Sequence, residues 1–278
     1  MSTTIVNGVR LALLDTGGTG PTVCFSHGLL WDHRMFRPQI DALRDRYRCV
    51  AWDHRAQGQS EVPPGRIATI EEVTADAIAL IERLGVGPVH FVGLSMGGFV
   101  GIRIAARRPE LVRSLSLLET AADPEPAANI PKYRRLAWVA RLFGVRRWLA
   151  DRVLAIMCGG SFLADPQNAA RVDVLRSMLM ENRRSVVKAV AGVLERDGVE
   201  GELGRIACPT LVLRGTEDAA ITRDRAHRVV EQVAGAQWVE VPGAGHTSTL
   251  EAPEAVTAAL IRFLSEVDAR TAATTEPG

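Results

Sequence analysis

The feature that most constrains this chain is the run Val89-His-Phe-Val-Gly93-Leu-Ser95-Met-Gly97-Gly98. An apolar, β-branched stretch of strand length passes at once into G-x-S-x-G, and a helical pattern begins near Met96. A serine forced into so sharp a strand-to-helix turn needs neighbours without Cβ atoms, and Gly93, Gly97 and Gly98 supply that room. The turn would lift Ser95 above the carboxyl end of its strand, with a helix N-terminus behind it and the Met96 N–H aimed at a developing oxyanion. Because G-x-S-x-G also arises by chance in surface turns, the strand and helix on either side carry as much weight as the letters.

Similar apolar runs recur at residues 22–26, 49–53, 115–118, 210–214 and 237–241, and unbroken runs of this kind suit strands buried on both faces. Helical patterns fall between them at 36–45, 69–84, 96–107, 223–234 and 253–265, the second opened by the capping box Thr69-x-x-Glu72. Strand and helix therefore alternate, which predicts an α/β fold with a mostly parallel, doubly wound sheet. Asn7-Gly8, between residues 4–6 and 10–15, predicts a hairpin and an antiparallel edge.

From 123 to 201 the alternation stops and only helical patterns remain, bounded by Pro124, Pro126 and Pro131 on one side and Gly198, Gly201 and Gly204 on the other. We therefore expect a core of residues 1–122 and 202–268, with 123–201 as a helical cap, or lid, inserted between two strands. The polar, small-residue tail 269–278 shows no periodicity and is expected to stay flexible.

Composition narrows the partners. With 33 basic against 32 acidic residues the net charge is +1, too even for nucleic-acid binding, and 47% hydrophobic residues suffice for a large core. The N-terminus lacks a basic segment followed by an apolar core, and no run approaches about 18 uncharged apolar residues, so neither a membrane span nor export is expected and a cytoplasmic location follows. Cys24, Cys49, Cys158 and Cys208 form no C-x-x-C pair and read as reduced thiols. Small molecules remain as partners, and the state is expected to be monomer or homodimer.

A nucleophilic serine needs a base and an orienting acid, each on a loop beyond a later strand. Gly215-Thr-Glu-Asp218 follows the run at 210–214, and Pro242-Gly-Ala-Gly-His246 follows that at 237–241. We assign His246 as general base, since imidazole is the side chain suited to that work at neutral pH, and Asp218 as its acid in preference to Glu217 and to Glu119 at the end of the 115–118 run. A second oxyanion donor would come from Phe25-Ser-His27-Gly28-Leu29-Leu30-Trp31, with the Leu29 N–H joining Met96 and His27 bracing the loop. Leu30, Trp31, Phe99, Trp138, Trp148 and Phe162 are candidates for an apolar substrate pocket, although helical spacing fits packing within the cap for most of its aromatics.

Other chemistries find less support. No G-x-G-x-x-G follows a strand and no P-loop occurs, so no cofactor is expected. Asp32, His33, Asp53 and His54 lack metal-ligand spacing, and His33 and His54 read as exposed loop residues, so no metal is expected. The cap holds 13 Lys and Arg against nine acids. A solvated face explains most of that surplus, with one arginine clamping a substrate carboxylate as the sharper alternative.

Together His27-Gly28, Asp53-His-Arg-Ala-Gln-Gly58-Gln-Ser60, Gly93-Leu-Ser95-Met-Gly97-Gly98, Gly215-Thr-Glu-Asp218 and Gly243-Ala-Gly-His246 resemble the α/β-hydrolase superfamily over nearly the whole chain. Within it the resemblance is to the lid-bearing branch of 3-oxoadipate enol-lactonases and related carboxylesterases. Ala56 stands where the D-x-R-G-x-G-x-S turn has glycine, and Ala219-Ala220-Ile221 lacks the proline often found after the acid. Neither position is expected to touch the chemistry. The resemblance implies hydrolysis of a carboxylic ester or lactone of a small, mostly apolar substrate through an acyl-enzyme on Ser95, without a cofactor. The same triad would serve a carbon-carbon bond hydrolase or a perhydrolase, and a non-catalytic ligand-binding member of the fold is the alternative outside enzymes. Relatives with aspartate at the elbow, the haloalkane dehalogenases and epoxide hydrolases, are set aside by Ser95.

Overall fold

In a computed structural model, which describes residues 1–275, eight strands form one sheet. They are β1 (Ser2–Val6), β2 (Val9–Asp15), β3 (Thr22–Ser26), β4 (Arg48–Trp52), β5 (Val89–Leu94), β6 (Val112–Leu118), β7 (Thr210–Gly215) and β8 (Gln237–Val241), in the order β1-β2-β4-β3-β5-β6-β7-β8. From β4 to β8 every pairing is parallel, while β1 and β2 form the antiparallel edge, joined through Asn7 and Gly8, both at positive φ. Every residue of β3, β5 and β7 is buried, which is why these strands read as unbroken apolar runs.

The helices of the core are α1 (Arg37–Leu43), α2 (Ile70–Leu84) and α3 (Met96–Arg107), then, after the cap, α9 (Arg223–Gln232), α10 (Ser248–Glu251) and α11 (Pro253–Thr275). α2 starts at the predicted capping box and ends at Gly85, whose left-handed backbone closes it. Two apolar clusters cover the sheet, one containing Trp52, Phe91 and Val100 beside α2 and α3, the other Phe25, Leu213 and Phe263 beside α1 and α11. The sheet is thus wound on both faces, as expected.

Between β6 and β7 there are only helices: α4 (Ile130–Phe143), α5 (Arg147–Met157), α6 (Gly160–Ala164), α7 (Ala169–Met180), α8 (Val187–Leu194) and short 3-10 turns. In the tail read as flexible, α11 runs on through residues 269–275; 276–278 lie outside the described residues. Extending a formed helix avoids the cost of nucleation, and Ala269, Ala272 and Ala273 have high helix propensity, which offsets the lack of an apolar stripe. All four cysteines are free thiols. Among the described residues no helix is long and apolar enough to cross a membrane.

Candidate active site

β5 delivers Ser95 into a strained turn at φ 51°, ψ −108° before α3 begins. The turn closes so tightly that a Cβ on Gly93 would strike the Gly97 carbonyl and one on Gly97 the Ser26 carbonyl. The Ser95 amide donates to Leu118 O at 2.8 Å, and its carbonyl accepts from Phe99 N at 3.0 Å and Thr120 Oγ1 at 2.9 Å, so the backbone is held from β6 and from the helix. Strain of this kind persists only where the surroundings over-determine it. Leu30 (φ 72°) and Glu119 (φ 45°) are two further non-glycine residues at positive φ on neighbouring strand-end loops.

β7 ends in the loop carrying Asp218, and β8 in the loop carrying His246. His246 Nδ1 lies 2.9 Å from Asp218 Oδ2, both side chains being buried. With a carboxylate as partner, Nδ1 carries the hydrogen and Nε2 is left as the acceptor. Asp218 Oδ1 meanwhile accepts from Ala220 N at 2.8 Å and Ile221 N at 3.0 Å. The expectation that the missing proline stands clear of the chemistry is therefore corrected: the segment after the acid grips it through N–H groups, and a proline at 220 or 221 would remove one of them. Of the other carboxylates, Glu217 accepts from Ser161 N at 2.8 Å and so ties the acid loop to the cap. Glu119 is wholly buried and accepts from Gly215 N at 3.1 Å; burial first, then the Asp218 charge, push it well above the usual carboxylate range.

Ser95 and His246 open on one cavity of about 1040 Å³, counted to its open mouth. No hydrogen bond joins the two side chains, an arrangement that in unliganded enzymes can tighten when substrate binds. Among the described residues neither the Leu29 nor the Met96 N–H has a partner within the protein, and Leu29 lines the cavity next to Ser95. The neighbouring Leu30 N–H is taken by Gln57 Oε1 at 2.9 Å. His27 braces this loop as expected: Nδ1 faces Gly28 O at 2.7 Å and Nε2 accepts from His54 N at 2.9 Å, and burial lowers its pKa.

Of the six pocket candidates, Leu30 and Phe99 line the cavity. Four other candidates do not. Trp31 is sealed in the core, and Phe162 packs under the Arg171 guanidinium at 5.3 Å. Trp138 and Trp148 face outward, 61% and 52% exposed. The cap side of the wall comes instead from Tyr133, Leu136, Ala140, Leu149, Val153 and aliphatic neighbours, residues whose helical spacing showed a face without showing which way it turned. Among the described residues Glu125 is the one acid in the wall; it accepts from Asn129 Nδ2 at 2.9 Å and pairs with Arg196 Nη1 at 3.3 Å. Arg196 lies 4.1 Å over the Phe99 ring, with its pKa pulled down to about 10 by burial. Among the described residues no lysine or arginine lines the cavity.

Two supporting residues escaped the sequence reading. Glu251 Oε2 accepts from Gly245 N at 2.9 Å and Gly159 N at 2.7 Å while Oε1 accepts from Thr247 N at 2.9 Å, pinning both sides of His246 to the cap. Arg214 Nη2 donates to Asp218 O at 3.0 Å and Nε to Ile221 O at 3.2 Å. The only sequence signal was a buried-strand arginine and an acid five residues past the histidine.

His33 and His54 are buried, contrary to expectation. His33 donates to Asp53 Oδ1 through N at 3.0 Å and faces the same oxygen through Nδ1 at 2.7 Å, while Gln59 N donates to Oδ2 at 2.7 Å. Asp32, His33 and Asp53 come within 4.8 Å of one another as metal ligands would. Asp53 and Asp32 are nonetheless taken up by these bonds and by Arg34, so the trio serves to fold the loop.

A model of the alpha/beta hydrolase family matches residues 23–259. An esterase from Thermogutta terrifontis is 32% identical, with 95% of this chain and 97% of that one covered at a TM-score of 0.86. The enol-lactonase from Burkholderia xenovorans LB400 is 29% identical, with 95% and 100% covered at a TM-score of 0.87. 3-Oxoadipate enol-lactonase 1 of Acinetobacter baylyi is 27% identical over 84% of this chain and 85% of its own. With a strand-end serine, a histidine held by an aspartate and a matching fold over almost its whole length, the chain belongs to the alpha/beta hydrolase family.

Proposed function

We propose that the protein is a serine carboxylesterase acting on neutral, mostly apolar esters, with lactones open to the same steps. The observation that carries this reading is that Ser95 and the Asp218-held His246 share one apolar cavity with the unengaged N–H of Leu29 beside them. Ser95 Oγ attacks the carbonyl carbon while His246 Nε2 takes its proton, and the carbonyl oxygen becomes an oxyanion held by the Leu29 and Met96 N–H groups. His246 returns the proton to the departing alkoxide, the alcohol leaves, and an acyl group stays on Ser95. Water, deprotonated by His246, then releases the acid. Asp218 keeps the imidazole in the tautomer that can accept and supports its charge.

The wall argues for neutral substrates. A carboxylate in the substrate would meet no lysine or arginine there and would face Glu125, whereas an alkyl acyl chain meets Leu, Val and Ile side chains. That weighs against the acidic lactone suggested by the enol-lactonase relatives and in favour of the esterase reading that the Thermogutta terrifontis relative supports. The test is turnover of p-nitrophenyl butyrate beside p-nitrophenyl hemisuccinate by wild type and Ser95→Ala. Wild type is expected to prefer the butyrate and the variant to lose both. Turnover by Ser95→Ala at the wild-type rate would overturn the reading.

A further inference from the structure

The cap presents an outward face that the cavity does not use. Between Glu125 and Asp151 the chain carries six cations, Lys132, Arg134, Arg135, Arg141, Arg146 and Arg147, and no acid. On α4 the residues Tyr133, Leu136, Ala137 and Ala140 wall the cavity. The opposite side of the same helix carries Arg134, Arg135, Trp138, Arg141 and Leu142, all exposed. Trp138 is 61% exposed, Phe143 55%, Trp148 at the start of α5 52% and Leu142 42%. Among the described residues only Arg134 of the six cations has an acidic partner, Glu195 at 3.6 Å. Large aromatic and aliphatic side chains left in water beside unneutralised arginines mark a contact surface rather than a solvated face.

We propose that this face of α4 and the start of α5 docks on an anionic lipid surface, with Trp138, Leu142, Phe143 and Trp148 entering the headgroup boundary and the basic residues meeting the lipid phosphates. Tryptophan and arginine are suited to such an interface, one end of the ring apolar and the other wet, the cation drawn to negative charge. Charge decides against a second copy of this chain: a two-fold contact through this face would set Arg134, Arg135, Arg141, Arg146 and Arg147 against the same five residues. It is docking without crossing, consistent with helices too short or too polar to span. The helix that would lie on the lipid also walls the cavity over Ser95 with its other side.

The full chain is tested by co-sedimentation with vesicles of phosphatidylcholine alone or with 30 mol% phosphatidylglycerol, at low and high salt, with tryptophan emission as a second readout. Wild type is expected to sediment with the anionic vesicles, to blue-shift, to be released by salt, and to ignore the neutral ones. Trp138→Ser/Phe143→Ser and Arg146→Glu/Arg147→Glu should each weaken partitioning by about tenfold or more while keeping the wild-type melting temperature and p-nitrophenyl butyrate turnover. Ser95→Ala should bind like wild type, so docking stands or falls apart from the esterase reading. Wild type remaining in the supernatant with both vesicles, equal binding to both, or loss in only one of the paired variants would overturn the proposal. A dimer in light scattering that Trp138→Ser/Phe143→Ser dissociates would overturn it in favour of a second copy.

Discussion

The ends of the strands and the cap meet at the same cavity but are built on opposite terms. At the strand ends both Asp218 carboxylate oxygens and His246 Nδ1 have a designated partner, and the backbone is so close-packed that a methyl group on Gly97 has no place to go. The cap contributes aliphatic side chains at helical spacing, which can be exchanged for others of similar size. Chemistry should therefore be intolerant of change at the strand ends, and specificity should be adjustable in the cap.

The comparison breaks most readily at the acid. Asp218→Asn should keep the fold and lower kcat on p-nitrophenyl butyrate by about 10³- to 10⁴-fold, because an amide there favours the wrong imidazole tautomer; a loss under tenfold would move the acid's role to Glu119. Next, Gly97→Ala should cost about 3 kcal/mol or more in a urea melt, since the new methyl meets backbone that cannot yield. A milder effect belongs to the cap: Glu125→Gln should raise kcat/KM for the hemisuccinate relative to the butyrate by about tenfold, leaving the butyrate within a few-fold. An unchanged ratio would remove Glu125 as the source of charge selection.

Stability against pH sharpens the same contrast, because two of the buried histidines, His27 and His54, belong to the strand-end loops. Burial lowers the pKa of both His27 and His54, His54 well below 6.5, with the neighbouring His27 adding to its shift. Above pH 6.5 they are neutral folded or unfolded. Below it the unfolded chain takes up protons that the folded one refuses, so stability falls toward acid, by up to about 1.4 kcal/mol per pH unit for each histidine. Thermal melts should be flat from pH 7 to 9 and drop by several degrees at pH 5.5; a melting temperature that rises toward acid would contradict this. The smallest effect is expected at Ala56, held at φ 64° where the resembled turn has glycine. Ala56→Gly should raise stability by about 1 kcal/mol or less, as relief of strain is partly cancelled by a freer unfolded chain.

What could be read in the sequence follows from the same division. Gly93, Gly97, Ser95, Asp218 and His246 were legible because a strand-end loop that must place one side chain leaves a local signature in glycines and spacing. Leu30 and Phe99 were legible for the same reason, lying next to those motifs. Trp138 and Trp148 were not: a periodic stripe shows that a helix has two faces, and only the tertiary arrangement tells which one turns inward. Trp31, His33 and His54 lie in loops whose burial is set by partners elsewhere in the chain: Trp31 joins the core cluster that includes Phe25, His33 meets Asp53, and His54 meets Ser26 and His27. Glu251 holds three backbone N–H groups, two just before it in sequence and one from distant Gly159, a partnership no local pattern displays.

The most direct test of the central claim, that Ser95 carries an acyl group activated by His246, is intact mass after acid-quenching the protein seconds into turnover of p-nitrophenyl butyrate. Wild type is expected to carry an added butyryl mass located by peptide mapping at Ser95, and Ser95→Ala to carry none. Turnover with no adduct on wild type, or an adduct that persists at another residue in Ser95→Ala, would contradict it.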